Sequence, residues 1–396
     1  MRQPLLAAAP VLAAIMLAGC AGQPDKPVAP PVTVLADAAL ARTPLATIRP
    51  VADDHGIALG GIGSDLYPGD RPDEYWSITD RGPNGQVKVD GKQRRTFPVP
   101  DFDPALLRLR VDGGTLRVEQ AIPITTTDGR PVTGLSNTPG HDEAPYDLTA
   151  RTPLPYNPNG LDPEGMVRTP GGEFWLSEEY SPSLLRLSAT GTVLARYVPA
   201  GLSLPGAGYP VYPTLPAELS RRQQNRGFEA LALAPDGDTL YAALQSPLDP
   251  PPDEGREVRL LAFDTRTGQP GAEYRYPLED VNTFDPSAKG KQNDMKISAL
   301  AWYGPDRLVV DERTDKVAKL YLFNLADQRK TPLVDLTATV PGLPEKIEGI
   351  AVRDPRTIAV ACDNDFGMTD GPDAFGPDGR SRDSGKPSRL LVLRLP

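Results

Sequence analysis

The sequence predicts an all-β fold, a β-propeller of five blades with six as the alternative, closed by pairing of strands from the two chain ends. Three observations predict it. First, a short apolar strand opens five times on or beside glycine or a carboxylate, at Gly60-Gly61-Ile62-Gly63, Pro163-Glu164-Gly165-Met166, Gly227-Phe228-Glu229-Ala230-Leu231, Lys296-Ile297-Ser298-Ala299-Leu300 and Lys346-Ile347-Glu348-Gly349-Ile350. Second, a following strand ends each time on a polar cluster: Thr79-Asp80-Arg81-Gly82, Ser177-Glu178-Glu179, Leu244-Gln245-Ser246, Asp311-Glu312-Arg313 and Asp363-Asn364-Asp365. A repeated unit that cannot bury both faces of its own small sheet is the signature of a propeller. Third, 46 Pro and 37 Gly in 396 residues, without any long helical periodicity, fit many short strands joined by tight turns.

In chain order, Arg2 precedes an apolar run from Leu5 to Leu17 that is too short to span a bilayer, so residues 1–19 read as an export signal. Leu17-Ala18-Gly19-Cys20 resembles the bacterial lipoprotein box, which makes Cys20 the expected lipidation site and the membrane a partner through that anchor. Ala21 at the next position favours sorting to the outer membrane of a Gram-negative envelope. Residues 20–44 then form a proline-rich spacer, and 45–396 the propeller. Blade one takes strands at 57–66, 75–79, 105–110 and 115–124; blade two at 165–168, 173–177, 184–187 and 193–198. Blade three takes 228–234, 239–244, 258–263 and 272–276; blade four takes 297–303, 307–310, 319–323 and 333–336. Blade five has 347–352, 357–361 and 390–395, and residues 46–51 are expected to supply its missing outer strand, leaving no exposed sheet edge there. Residues 125–160 are long, polar and proline-rich, an excursion over one face or a degenerate sixth blade.

With Cys20 committed to lipid, Cys362 is the sole remaining thiol, so no intramolecular disulfide is expected. A net charge of −10 argues against nucleic-acid partners and agrees with cation binding. The expected species is a monomer.

In a propeller the first strand of each blade lines the central channel, so equivalent positions converge there. Glu164, Glu229 and Glu348 occupy the same place in three repeats, while Asp311, Asp363 and Asp365 end neighbouring strands. Converging carboxylates repel one another in a low dielectric unless cations intervene, and an oxygen-only set suits Ca²⁺. These six are the expected metal ligands. His55 and His141 are the only histidines, which excludes a histidine-rich metal site and leaves a Ser-His-Asp triad without support; Ser64 also lacks a Gly-x-Ser-x-Gly elbow. Asp80, Arg81, Glu178, Glu312 and Arg313 are the candidate catalytic residues. Arg226, Lys296, Lys346 and Asn364 are candidates for binding substrate, since cations beside the acids can grip a phosphate or carboxylate.

Taken in order, these five motif pairs resemble the bacterial family called "esterase-like activity of phytase", over about residues 55 to 395. The resemblance implies a β-propeller and, by the family's link to alkaline phytases, a Ca²⁺-dependent phosphoesterase acting through metal-activated water on a small phosphate or carboxylic ester. The chain departs from the pattern at Gln245, where similar proteins usually have Glu, and at Ser298, which replaces a carboxylate. A lactonase resembling the gluconolactonase propellers, or a non-catalytic binding platform of the cell envelope, are the alternatives.

Overall fold

The computed structural model describes residues 32–249, 255–288, 290–371 and 373–396. The signal, Cys20 and the spacer up to residue 31 lie outside the described residues.

The chain is all-β, and its strands group into antiparallel sets of four in the order the repeats suggest. Two sheets are simple meanders: Phe228–Leu233, Thr239–Leu244, Glu257–Asp264, Gln269–Pro277, and Lys296–Gly304, Arg307–Arg313, Ala318–Asn324, Lys330–Asp335. A third runs Pro163–Arg168, Phe174–Glu178, Ser183–Leu187, Val193–Pro199 and adds Val211–Leu215 in parallel at its outer edge. An eight-stranded sheet joins two further sets. One is Ile62–Pro68, Glu74–Thr79, Ala105–Asp112 and Thr115–Pro123; the other is Ile347–Asp354, Thr357–Cys362 and Arg389–Arg394, completed by Thr33–Leu40. The five first strands contact one another in cyclic order, Ile62–Pro68 touching both Pro163–Arg168 and Ile347–Asp354.

The chain ends do pair, but through a strand other than the expected one. Thr33–Leu40 runs antiparallel to Arg389–Arg394, inside the stretch read as spacer, whereas 46–51 contain only a 3-10 turn at Leu45–Thr47. Residues 125–160 form no four-stranded set. Their strand Pro145–Tyr146 pairs in parallel with Lys92–Thr96, which with Gly85–Val89 makes a three-stranded sheet.

Apolar alternation within the strands packs neighbouring sets face to face, with aromatic rings at the junctions. Trp76 meets Phe174 at 5.0 Å, Trp175 meets Phe263 at 5.6 Å, Tyr241 stacks on Trp302 at 6.0 Å, and Phe102 meets Phe366 at 5.2 Å. Such pairs add about 0.5–1.5 kcal/mol each beyond the area they bury. Asp65 joins three first strands at once: its buried carboxylate accepts from the amides of Leu66 at 2.7 Å and Met166 at 2.8 Å, and from Ile350. Burial holds its pKa well above the carboxylate range against those three bonds.

Candidate functional site

Every first strand is bulged where it opens, and the bulge aims the site. In the ladders, Ser177 faces Gly165 and Glu178 faces Pro163, skipping Glu164; Phe228 and Ala230 are paired, skipping Glu229; Ile297 and Ala299, skipping Ser298; Ile347 and Gly349, skipping Glu348. The irregularity between Ile62 and Leu66 is wider and includes Ser64 and Asp65. A residue left out of the ladder bends the strand and re-aims its side chain. Here the bulges turn Ser64, Glu164, Glu229 and Glu348 into one cavity of about 570 Å³. Gly227 makes the third opening possible, because a Cβ there would lie 2.1 Å from the Glu179 carbonyl oxygen.

Asp80, Arg81, Glu179, Arg226, Lys296, Arg313, Lys346, Asp363 and Asp365 reach the same cavity from the second-strand ends and adjoining loops. The site is organised around two buried guanidiniums. On one side Arg81 contacts Asp162 and Asn225 and donates to Glu179 at 2.9 Å. On the other, Arg313 contacts Glu348 and donates through Nε to Ser298 Oγ at 2.6 Å. The serine in place of a carboxylate thus leaves the Arg313 fork directed at Glu348. Nη1 of both arginines has no hydrogen-bond partner among the described residues; the carboxylates of Glu143 and Asp315 stand 3.9 and 3.7 Å away.

The acids of the cavity are short of positive charge. Burial, then the nearby Asp162, raises Glu164 and Glu179 well above the carboxylate range. Asp80 is raised by the same two causes, while Asp363 is raised by burial and then by Asp365. Burial and then Glu348 push Glu229 up to about 7, and its Oε2 has no hydrogen-bond partner among the described residues. For Asp365, burial is outweighed by Lys346, which bonds both its oxygens at 2.6 Å and keeps it below the usual range. Lys296 and Arg226 are lowered, chiefly by burial. Asn225, Lys346 and Asp365 all hold left-handed backbone, at φ 58°, 54° and 48°. Such backbone in non-glycine residues persists where the surroundings over-determine it.

Four expected site residues do not line this cavity. Glu178 is sealed against Arg196 at 2.6 Å and Ser183 at 2.9 Å, and Glu312 against Lys330 at 2.5 Å and Tyr276 at 2.6 Å. Each neighbours a residue that does face the cavity, so strand alternation turns it the other way. Asp311 is fully buried with both carboxylate oxygens unpartnered among the described residues, and burial raises its pKa strongly. Asn364 is structural: it accepts from the Gly61 amide at 3.1 Å and from Ser388 at 2.8 Å. Sequence reasoning missed Asp162, which lies one residue before its strand. It also missed Asn225, Glu143 and Asp315, loop residues with no repeat equivalent.

Asp162, Glu164 and Glu179 each offer one oxygen within 4.8 Å of the others, the one such carboxylate trio among the described residues. It overlaps the expected ligand set only at Glu164.

A family model described as esterase-like activity of phytase matches residues 57–366. The chain belongs to this phytase-like family. The phytase-like chain is also 27% identical over 278 residues to a protein of Arthroderma benhamiae described as an uncharacterized secreted protein; the match covers 59% of this chain. It spans about half, 54%, of that relative's length. Among solved structures, luciferin-regenerating enzyme aligns with a TM-score of 0.38 at 10% identity, covering 85% of this chain and 92% of that one. Hydrazine synthase of Kuenenia stuttgartiensis aligns at 0.36 and 11%, covering 77% and 78%.

Proposed function

We propose that this phytase-like protein is an exported hydrolase of small phosphate esters, its five strand sets forming the blades of a propeller with the site at one mouth of the channel. The observation that carries this reading is one cavity lined by two buried guanidiniums, each with an Nη1 unpartnered among the described residues, and by Glu164 and Glu179, which form a carboxylate trio with the buried Asp162. A dianionic phosphoryl group suits the guanidiniums, and a hard divalent cation such as Ca²⁺ suits the trio, three hard oxygens at the wall of a cavity whose acids lack positive charge. When bound, the cation supplies positive charge to phosphoryl oxygens and acidifies water beside it.

The chain's own residues do the rest. Arg81 and Arg313 approach from opposite sides with planar donors suited to phosphoryl oxygens, preorganised by Asp162, Glu179, Glu348 and Ser298. Lys346, fixed by Asp365, adds a point charge. Glu229, with a pKa near neutrality and an unpartnered Oε2, holds or releases a proton at that atom. The secreted description of the Arthroderma relative supports export, with lipid on Cys20 as the anchor.

The test is a screen of the purified domain against phosphate monoesters and diesters, lactones and acyl esters, with Ca²⁺ and with chelator. Phosphate release that chelator abolishes, and that Glu179→Gln weakens in its Ca²⁺ dependence, is the expected result. Turnover of lactones alone makes the protein a lactonase, and turnover of none makes it a binding platform.

A further inference from the structure

We infer that the alcohol portion of the substrate is apolar and lies in the cleft between the hairpin Gly85–Thr96 and the segment around Met368 to Phe375. This rests on the phosphoesterase reading and names the class of ester. The cleft has a volume of about 320 Å³, and its wall is aliphatic and aromatic: Val87, Val89, Leu148, Met368, Ala374 and Phe375. It opens into the charged cavity, since Gln86, Met368 and Thr369 line both spaces. Along Gly85–Val89, Gln86 borders both spaces, while Val87 and Val89 line the cleft and not the charged cavity.

The walls are held in place. Arg95 bonds Asn84 at 2.8 Å and Glu143 at 2.8 Å, and Arg94 bonds the Ala150 carbonyl at 2.6 Å while lying over the Tyr146 ring. The Gln86 amide donates to Asp370 at 3.4 Å, joining the two walls, and His55 packs edge-on against Phe375 at 6.0 Å. Charge decides what enters. Asp370 lines the charged cavity beside this passage, and the cations of the cleft, Lys88 and Arg151, are both exposed. A polyphosphorylated polyol seated at Arg81 and Arg313 would press further phosphates against Asp370 and a greasy wall. A monophosphate of an alkyl or aryl alcohol would bury its carbon there instead.

The experiment compares kcat/KM for methyl phosphate and n-hexyl phosphate, whose leaving groups differ little in acidity, with inorganic phosphate as inhibitor. The parent, Val87→Asp and Phe375→Ala are measured, the last as a second variant should the first not fold. The parent should favour the hexyl ester by about tenfold or more, and each variant should lose about tenfold on the hexyl ester. The methyl ester and phosphate inhibition should change less than about twofold, since the cleft plays no part in their binding. Equal kcat/KM for the two esters, equal losses on both in the variants, or a preference for inositol hexakisphosphate would overturn the cleft assignment while leaving the phosphoesterase reading intact. If no ester is turned over and inorganic phosphate does not bind, the reading itself has failed, and the cleft assignment falls with it.

Discussion

Glu178 and Glu179 are adjacent in sequence and opposite in fate. Glu178 faces back into its own sheet, where Arg196, Ser183 and the amides of Tyr180 and Asp162 use both its oxygens, and neither it nor Arg196 exposes any side chain. Glu179 faces the cavity, shares Arg81 with Asp162, and belongs to the carboxylate trio. Glu312 and Arg313 repeat the contrast. The sealed pairs are complete, whereas Nη1 of Arg81 and Arg313 and Oε2 of Glu229, on residues that line the cavity, have no partner among the described residues. Buried polar groups are satisfied almost everywhere in proteins, so unpaired donors and acceptors on charged side chains that line an open cavity mark where a ligand can bind, and a complete pair such as Glu178 with Arg196 marks scaffolding.

The strongest way to break this contrast is to remove the sealed pair. Glu178→Ala leaves Arg196 as an uncompensated buried charge and should cost about 3–5 kcal/mol of stability in denaturant titration. Turnover per folded molecule should be unchanged; a selective loss of turnover would place Glu178 in the site after all. Arg81→Ala should act the other way. Phosphate-ester turnover should fall about 10²-fold or more, the scale for one preorganised donor. Because Asp162 and Glu179 lose their partner, the variant should melt lower in chelator and recover in millimolar Ca²⁺. Failure of Ca²⁺ to restore the melting temperature would count against the carboxylate trio as a cation site.

The smallest effect is in pH. Glu229 titrates from 4.5 in the unfolded chain to about 7 in the fold, so the folded protein binds its proton more tightly across that window. Its contribution to stability is therefore present at acidic pH and lost as pH rises through about 7. In chelator, Glu229→Gln should gain on the parent in melting temperature between pH 5 and pH 8. A constant difference across that range would show that Glu229 is ionised throughout.

Much of this was legible because repetition speaks in sequence. Five openings and five closing clusters located the strand sets within a few residues and picked out Glu164, Glu229, Glu348, Arg81, Arg313 and Lys346, which line one cavity. Which acid of a closing cluster faces the cavity was not legible, since Glu178 ends its strand and Glu179 lies just beyond it, and polar residues stand on both faces of the strand end. Asp162 was hidden by lying one residue before its strand, and Asn225 by lying in a loop that no other unit repeats. The closing strand was missed because Thr33–Leu40 follows a proline-rich stretch that resembles a tether, and its partner lies at the far end of the chain.

That closing strand governs how the molecule comes into being. Asp37 bonds Arg389 across 352 positions of sequence, close to the longest separation the chain permits. Thr33–Leu40 can meet Thr115–Pro123 early, but its antiparallel partner is the last described strand, and until Arg389–Arg394 is available that edge stays unpaired and open to misassembly. Contacts so remote carry a large loop-closure cost before they return any stability, which slows folding. Closure of the cycle of strand sets is therefore expected to come late in folding, once Arg389–Arg394 reaches Thr33–Leu40.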